Sequence, residues 1–282
     1  MWVNYHTHCN YCDGKSPMQE YVDEAERLNL LSIGFSSHAP VPFDTKWCMK
    51  SQRLEEYIQD IETIRKTKPR AEIYTGLEVD FVPNVTSPNL FREKLDYTIG
   101  SVHFVDSLPD GRHWEIDGNH ALFLEGLTKI FHNNIQSAIS RYFELTREMI
   151  ATACPTVIGH LDKIKIQNVD GKFFSETESW YQNEVQRTID MVSSSGAIVE
   201  VNTRGLYQRK SDTTYPSPRI LALLHQKNIP ITISSDAHHP KDLVKLFSET
   251  AKLLRNIGFK TIAILTEGTW KSFSFGEHGI ER

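Results

Sequence analysis

The sequence predicts an α/β fold, and we expect a single domain over residues 1–282. Short apolar runs of strand length alternate with longer segments in which apolar residues recur at the helical period. That alternation is typical of a mainly parallel sheet covered by helices. The chain contains no linker, low-complexity segment or short repeat that would divide it. About seven strand–helix units follow one another, which favours a closed barrel over an open sheet.

The first half of the chain contains two predicted helices and several predicted strands. Ser16, Pro17 and Gln19 form a helix start signal, with a capping serine, a proline at the first helical position and a capping-box glutamine. Apolar residues recur at helical spacing up to Leu28, and a second helical stripe covers residues 54–64. The apolar runs predicted as strands are residues 2–5, 32–36, 73–78 and 97–102.

The second half of the chain repeats this alternation. One predicted helix should stop at Gly196, because glycine is favoured just after a helix. Residues 104–134 are too long for an ordinary strand-to-helix loop, so we predict a lid or substrate loop there. From Lys260 onward, a strand or hairpin is expected to close the structure. The other elements are helices over residues 135–150, 176–195, 217–224 and 241–257, and strands over residues 156–158, 197–201 and 229–233.

Side chains able to bind a metal ion stand at the carboxyl ends of nearly all the predicted strands. In a barrel of parallel strands these ends meet on one face, where active sites are built. His6 and His8 lie two residues apart on an extended chain and point to the same side, as do Asp236 and His238. A single histidine is more often a hydrogen-bonded core residue, but core histidines do not collect at successive strand ends. The candidate ligands are His6, His8, His38, Glu78, His103, His160, Asp236 and His238, a set that suits zinc, iron or manganese.

Short motifs around these residues carry a family resemblance. They are His6-Thr7-His8, Cys12-Asp13-Gly14, Ser37-His38, Gly76-Leu77-Glu78, Gly100-Ser101-Val102-His103, Ile158-Gly159-His160 and Ser235-Asp236-Ala237-His238. With these motifs in this order, the sequence resembles the PHP (polymerase and histidinol phosphatase) phosphoesterases over most of its length. The segments GSVHFVD at residues 100–106 and EVNTRGLY at residues 200–207 are most similar to the histidinol-phosphatase branch.

The resemblance implies a distorted (β/α)7 barrel that holds about three divalent ions of zinc, manganese or iron at the carboxyl ends of its strands. The ligand sets carried over residue by residue are His6, His8, Glu78 and Asp236 for a first metal, Glu78, His103 and His160 for a second, and Asp13, His38 and His238 for a third. Many family members carry a histidine where Asp13 stands. We therefore expect the third site to prefer a different metal or to bind it more weakly.

The same resemblance implies a phosphomonoesterase that hydrolyses L-histidinol phosphate in histidine biosynthesis. In the expected mechanism, a hydroxide that bridges two metals attacks phosphorus, and Asp236 or His238 assists the leaving oxygen. Arg204 follows a predicted strand on the same barrel face, and its guanidinium fork matches two phosphate oxygens. Arg209 is the weaker alternative for that role. Candidate carboxylates for the amine and imidazole of the substrate are Asp106, Glu115 and Asp117.

Three other functions remain open from the sequence alone. The same chemistry could act on phosphotyrosine, a nucleotide or another small phosphomonoester. A metal-dependent amidohydrolase on a similar barrel would also use an HxH motif, but such enzymes commonly add a strand-borne lysine, and no predicted strand ends in one. A regulatory metal-binding protein without catalysis is the third alternative. It has no need of the open metal positions that a complete catalytic ligand set provides.

The composition excludes several broad classes of protein. A net charge of −5 and a pI of about 6.2 argue against nucleic-acid binding. The apolar stretches fall short of the roughly 18 residues that a membrane span needs. The N-terminal sequence lacks the features of a secretory signal, so we expect a cytoplasmic protein acting on a small molecule. The chain has 4 cysteines, too few for a disulfide scaffold. Cys9 and Cys12 are expected to be ordinary thiols, because no second pair completes a zinc site.

Overall fold

The computed structural model describes residues 1–281. In chain order, the strands are β1 (Val3–Asn4), β2 (Ser32–Phe35), β3 (Glu72–Asp80), β4 (Tyr97–Ser101), β5 (Phe104–Ser107), β6 (His113–Glu115), β7 (Val157–Ile158), β8 (Ile198–Asn202), β9 (Ile231–Ser234), β10 (Thr261–Thr266), β11 (Thr269–Gly276) and β12 (Gly279–Ile280). A 7-stranded sheet has the order β1-β2-β3-β4-β7-β8-β9, and each neighbouring pair in it is parallel. The predicted α/β barrel is therefore confirmed.

Helices connect these strands and cover the outside of the barrel. They are α1 (Met18–Arg27), α2 (Leu54–Lys66), α3 (His120–Lys129), α4 (Ile135–Ala153), α5 (Ser179–Ser195), α6 (Arg204–Tyr207), α7 (Pro218–Gln226) and α8 (Phe247–Ile257). As predicted, α5 stops at Gly196, which takes a left-handed φ of 76° that glycine adopts without strain. Within residues 1–281, no helix is long and apolar enough to cross a membrane.

The first and last barrel strands meet just beyond their carboxyl ends. The His8 amide donates to the Ala237 carbonyl at 2.8 Å, and the Ala237 amide donates to the His6 carbonyl at 3.0 Å. These two bonds bring the His6–His8 motif beside the motif that contains Asp236 and His238, because each motif continues one of the two strands. Barrel closure and assembly of the candidate ligands therefore depend on the same contact.

The C-terminal sheet of β10, β11 and β12 covers the amino ends of the barrel strands. The Tyr5 hydroxyl donates to the Leu265 carbonyl at 2.9 Å, and the Trp270 ring packs edge-on against Tyr5 with centroids 5.0 Å apart. The hydroxyl of Ser32, the first residue of β2, donates to the same carbonyl at 3.1 Å. This antiparallel sheet is the closing hairpin predicted from Lys260 onward. It leaves the carboxyl ends of the strands open.

Residues 104–134, predicted as a long loop, fold into a hairpin of β5 and β6 followed by α3. Trp114 in β6 is 1% exposed, and its indole N–H lies 3.2 Å from the carbonyls of Leu122 and Phe123. A Cβ atom at Gly126 would lie 2.0 Å from the Trp114 ring, so only glycine lets α3 approach the indole this closely. The segment is therefore a packed unit with Trp114 in its core and not an open loop.

The start of α1 differs from the predicted capping box. The helix begins at Met18, and no side chain caps it. Ser16 belongs to the preceding loop, where its carbonyl accepts the Asn10 amide at 3.0 Å. Gln19 donates to Asp23 one turn further along, at 2.8 Å. The capping prediction was wrong because the helix begins two residues after Ser16 and the Gln19 side chain donates along the helix and not back to its start.

Two later helices begin after their predicted positions. The helix predicted from residue 176 begins at Ser179. The helix predicted from residue 241 begins at Phe247, after a short turn. Leu246 takes a left-handed φ of 61°, which interrupts a helical path and is uncommon for a residue with a branched side chain. The apolar spacing predicted both helices, but not these local breaks.

Candidate metal centre and active site

The predicted metal ligands come together at the carboxyl end of the barrel. Most of them end or directly follow barrel strands, whereas Asp13 lies in the loop between β1 and α1. Their nitrogen and oxygen atoms form groups in which the ligand atoms lie within 4.8 Å of one another. The first group is His6, His8 and Asp236, the second is Glu78, His103 and His160, and the third is Asp13, His38 and His238, together with His8.

Glu78 lies at the centre of this cluster and is 1% exposed. Its Oε2 atom lies 3.1 Å from His6 Nε2 and 3.4 Å from His8 Nε2. Its Oε1 atom lies 2.8 Å from His160 Nε2. The Ser101 hydroxyl donates to Oε1 at 2.7 Å and fixes the carboxylate plane. One carboxylate thus faces both the first and the second group.

The third group is more open to solvent than the other two. Asp13 Oδ1 lies 3.1 Å from His238 Nε2 and 3.8 Å from His38 Nε2. The side chain of Asp13 is 32% exposed, whereas that of Asp236 is 4% exposed. This greater solvent access favours weaker metal binding at the third group, because water competes with its ligands.

Two buried carboxylates orient histidines of the cluster from outside it. His6 Nδ1 lies 2.5 Å from Glu200 Oε1, and His103 Nδ1 lies 2.9 Å from Asp80 Oδ1. A carboxylate that accepts the Nδ1 proton leaves the Nε2 lone pair available to a metal ion. Both Nε2 atoms face Glu78, at 3.1 Å for His6 and 3.7 Å for His103.

The ligand atoms are arranged to bind divalent metal ions and not to form hydrogen bonds with one another. Nε2 of His6, Nε2 of His8, Nδ1 of His38 and Oδ1 of Asp13 are buried without a hydrogen-bond partner among residues 1–281. Such atoms are costly to bury unless something binds them. Two ligand atoms at about 2.0–2.2 Å from one ion lie about 2.8–3.6 Å apart, depending on the coordination angle. The separation of 3.2 Å between His8 Nε2 and Asp236 Oδ1, both in the first group, matches that spacing.

The cluster keeps its carboxylates ionised. Burial alone would raise the pKa of Glu78, but the imidazoles of His6 and His38 hold that pKa well below its usual range. Burial would also raise the pKa of Asp236, but the charges of His6 and Arg204 hold that pKa well below its usual range. Asp236 also takes a φ of 52°, which is uncommon outside glycine and typical of functional sites. Both groups are therefore anionic acceptors.

A cavity of about 240 Å³ opens over the cluster, and it is lined by three cationic side chains, Lys163, Arg204 and Lys210. Arg204 Nη1 donates to the Asp236 carbonyl at 2.6 Å and lies 2.6 Å from His238 Nδ1. Lys163 Nζ lies 3.1 Å from His103 Nε2. Arg204 thus adjoins the third group and Lys163 the second. A phosphate that enters the cavity would meet fixed positive charge at both places.

The same cavity also contains carboxylates and an aromatic ring. Glu115, Asp117 and Trp47 line it. Asp117 Oδ2 lies 3.0 Å from Lys163 Nζ, and this cation holds the pKa of Asp117 below its usual range despite burial. Burial and the nearby Asp117 raise the pKa of Glu115. The Trp47 ring lies 4.4 Å from the His38 ring, so an aromatic wall adjoins the metal ligands.

Cys9 and Cys12 are free thiols in the first loop, as expected. Cys12 Sγ lies 3.5 Å from His8 Nδ1, and Cys9 Sγ lies 3.3 Å from Ser37 Oγ. Burial raises the pKa of both thiols, which keeps them protonated and poorly suited to metal binding. His8 therefore has a weak sulfur acceptor where His6 has a carboxylate.

Comparison with known proteins places the chain in a family. The sequence model described as the PHP domain matches residues 4–204. The chain belongs to the PHP domain family. This match covers most of the chain and all the candidate ligands except Asp236 and His238, which the barrel closure brings beside His6 and His8.

Relatives of this PHP domain align over nearly its full length. A Deinococcus radiodurans protein named "Probable histidinol-phosphatase" is 27% identical over 264 residues, covering 90% of this chain and 92% of that protein. The Listeria monocytogenes HisK structure has a TM-score of 0.75 at 22% identity, covering 88% of this chain and 99% of that chain. The Lactococcus lactis histidinol phosphate phosphatase, complexed with zinc, L-histidinol and phosphate, has a TM-score of 0.68 at 19% identity, covering 100% and 99% of the two chains. These structures confirm the fold.

Two predicted substrate contacts lie outside the cavity of this PHP domain. Asp106 is exposed in the outer part of the β5–β6 hairpin, beyond the buried Phe104, and accepts the amide of Ser107 at 2.7 Å. Arg209 follows α6 with a left-handed φ of 57° and borders a separate surface groove together with Lys165. Neither residue lines the space over the cluster, so the structure gives no support to either assignment. Of the predicted contacts, Arg204 and Glu115 do line it.

Asp80, Glu200 and Lys163 belong to the site but were not singled out from the sequence. Asp80 lies two residues after Glu78 on β3, so the period of a strand places both side chains on one face. Glu200 is an ionisable residue inside an apolar strand, which is itself a signal of function. Lys163 follows His160 by three residues, about one helical turn. Each of these sequence features indicates a role in the site only after the neighbouring metal ligand has been identified.

Proposed function

We propose that this PHP domain is a metal-dependent phosphomonoesterase that hydrolyses L-histidinol phosphate to L-histidinol and phosphate. The observation that carries the proposal is the content of the cavity. Metal-binding side chains lie along it, Arg204 and Lys163 adjoin them, and Glu115 and Asp117 share the same space. Metal ligands and cations suit a phosphate, and the carboxylates suit a cationic alcohol part.

The names of similar proteins agree with this chemistry. The Deinococcus radiodurans relative carries the name of a histidinol-phosphatase, and the Lactococcus lactis structure holds zinc, L-histidinol and phosphate. Both align with most of this chain and with nearly all of their own length. Their agreement supports a small phosphomonoester as the substrate of this chain.

The ligand groups would hold divalent transition metals, and zinc, manganese and iron suit imidazole and carboxylate donors. We assign one ion to each of the three groups, with Glu78 shared between the first and the second. When bound, such ions supply Lewis acidity to phosphoryl oxygens and make water a stronger nucleophile. The orphaned nitrogens of His6, His8 and His38 support this assignment, because a metal would satisfy them.

Arg204 and Lys163 bind and orient the phosphate. The Arg204 guanidinium can donate two parallel hydrogen bonds to phosphoryl oxygens, while Lys163 supplies a compact charge from the side of the second group. Lys163 is held in place by burial of its side chain and by the Asp117 carboxylate, which lies 3.0 Å from Nζ. Two fixed contacts restrict rotation of the phosphate and place its ester oxygen in line for displacement.

Asp236 moves the proton in this scheme. Its carboxylate is ionised but only weakly basic, so it takes a proton from the attacking water transiently and passes it on to the far more basic leaving oxygen. The resulting carboxylic acid can then protonate the leaving alcohol oxygen. His238 is less suited to the transfer, because Nδ1 adjoins Arg204 and Nε2 adjoins Asp13. We assign His238 to holding Arg204 and the third group in position.

The alcohol part of L-histidinol phosphate carries an ammonium group and an imidazole. Glu115 and Asp117 provide negative charge for the ammonium within the cavity. Trp47 provides a ring face on which an imidazole can stack. A substrate without an ammonium would leave Glu115 in a partly buried space without a cationic partner, which disfavours simple phosphates.

Specificity constants for three substrates test the proposed function. We expect kcat/KM for L-histidinol phosphate to exceed that for a simple aryl phosphate and for phosphotyrosine by more than about tenfold, or roughly 1.4 kcal/mol of transition-state binding. The variant Glu115→Gln should reduce this preference, because it removes negative charge opposite the ammonium. Hydrolysis of the aryl phosphate by the same variant serves as the control and should change little.

If phosphotyrosine or a nucleotide gives the highest kcat/KM, the phosphatase chemistry stands and the histidinol assignment fails. Absence of phosphate release from every ester would overturn the proposed function itself. An amidohydrolase is disfavoured because Glu78, and not a lysine, lies between the first and second groups, while Lys163 pairs with Asp117. The 4 cysteines are free thiols, which fits the cytoplasmic setting that we propose.

A further inference from the structure

Glu200 is a buried carboxylate of β8 to which the proposed chemistry assigns no step. It is 0% exposed, and the metal ligands surround it on one side. An ionised carboxylate this deep in a protein is costly unless donors satisfy both of its oxygens. Each oxygen of Glu200 does have donors, and these donors belong to different parts of the cluster.

The two oxygens of Glu200 contact different ligand groups. Oε1 lies 2.5 Å from Nδ1 of His6, a member of the first group. Oε2 accepts the backbone amide of His160, a member of the second group, at 2.8 Å. Oε2 also accepts Asn202 Nδ2 at 3.1 Å, and the same nitrogen lies 3.3 Å from Asp236 Oδ2. Glu200 thus contacts His6 after β1 and His160 after β7 directly. It reaches Asp236 after β9 through Asn202.

Within residues 1–281, no other carboxylate outside the ligand groups forms hydrogen bonds to ligands of two groups. Asp80 accepts both Nδ1 and the backbone amide of His103, at 2.9 and 3.1 Å, and so acts on a single ligand of the second group. His8 has the sulfur of Cys12 as its outer partner. Glu200 therefore contacts ligands of both the first and the second group, whereas Asp80 contacts a ligand of the second group only.

We propose that Glu200 is a positioning residue that couples the first and second metal positions, so that neither holds its ion tightly without the carboxylate. The proposal rests on the metal cluster of the proposed function. A carboxylate hydrogen-bonded to Nδ1–H raises the basicity of the imidazole and fixes its orientation. Through Oε2, the same charge holds the backbone that carries His160. Loss of Glu200 should therefore weaken both positions together.

The variant Glu200→Gln isolates this role. The amide keeps the size of the carboxylate but has only one acceptor atom. In one orientation its NH2 group faces the His160 amide, and in the other it faces His6 Nδ1–H. Either way, two donors oppose each other and one contact is lost. The change removes the charge without opening a cavity, so the effect on metal binding can be separated from packing.

Metal retention under a competing chelator measures the coupling without relying on activity. Purified wild-type protein and variants are equilibrated with increasing chelator, and metal per chain is determined by elemental analysis. Glu200→Gln should lose two ions together at about 10- to 100-fold lower chelator than wild type. Asp80→Asn should lose one ion early. Glu184→Gln is the matched control, because Glu184 is largely buried in α5 and pairs with Arg147 away from the site; it should match wild type.

The outcomes separate this inference from the proposed function. Wild-type protein that binds no transition metal overturns both. Wild-type protein that binds metal, with Glu200→Gln retaining it equally well or losing a single ion as Asp80→Asn does, overturns only the coupling role. Circular dichroism of the metal-free proteins checks folding. If Glu200→Gln does not fold, Glu200→Asp, which keeps the charge but shortens its reach by one methylene, should show the same paired loss.

Discussion

Replacing Glu78 by glutamine should reduce the turnover number for phosphate release by more than about 10³-fold, beyond the loss caused by removing one oxyanion donor. Glu78 is the side chain that faces both the first and the second group, with Oε2 3.1 Å from His6 Nε2 and Oε1 2.8 Å from His160 Nε2. An amide offers a single neutral acceptor and cannot serve two cations. Steady-state phosphate release, with metal content measured on the same sample, provides the test.

Glu72→Gln is a suitable control for this variant. Glu72 begins the same strand, β3, but lies at the opposite end of the barrel, where it accepts the Thr266 hydroxyl at 2.7 Å. This variant should keep wild-type turnover, and circular dichroism should show that both proteins fold. Near-wild-type turnover of Glu78→Gln would contradict the shared-ligand assignment.

Arg204→Ala should weaken transition-state binding by roughly 2–4 kcal/mol, the scale for losing a charged donor in a catalytic site. This loss corresponds to a fall of about 30- to 1,000-fold in kcat/KM. The guanidinium lies against the Asp236 carbonyl and lines the cavity, so its remaining N–H groups are available to a phosphate. Arg204→Lys keeps the charge but not the fork, and should lie between wild type and Arg204→Ala.

Arg209→Ala provides the matched control for the phosphate contact. Arg209 is only five residues further along the chain, but its side chain borders a different surface groove. We expect its kcat/KM to equal that of wild type. If Arg204→Ala leaves kcat/KM unchanged, or if Arg209→Ala reduces it as strongly, the assignment of the phosphate contact is wrong.

The placement of the metal ligands could be predicted because it depends on few features of the fold. Parallel strands bring their carboxyl ends to one face whatever the connecting helices look like. His103 directly follows the segment predicted as the fourth strand, and His160 follows the next, so an error of one or two residues in a strand boundary does not move either from that face. The late starts of α5 and α8, by three and six residues, concern connecting helices on the outside of the barrel, and they had no effect on the site.

The substrate side of the cavity depends on contacts that local sequence patterns do not contain. Asp106 and Glu115 are equally plausible carboxylates in a loop, but the β5–β6 hairpin turns Asp106 outward and carries Glu115 to the cavity. Trp47 comes from a loop without strand or helix, and its position follows from packing on His38. Lys163 occupies a short helical turn that no periodicity indicated.

Metal content and phosphate release measured on one sample test the central claim most directly. Protein purified without chelator should contain more than one transition-metal ion per chain and should release phosphate from L-histidinol phosphate. Removal of the metal should abolish this activity, and returning the metal should restore it, because the chain alone offers no comparably strong nucleophile. A well-folded protein that is fully active without transition metal would contradict the account.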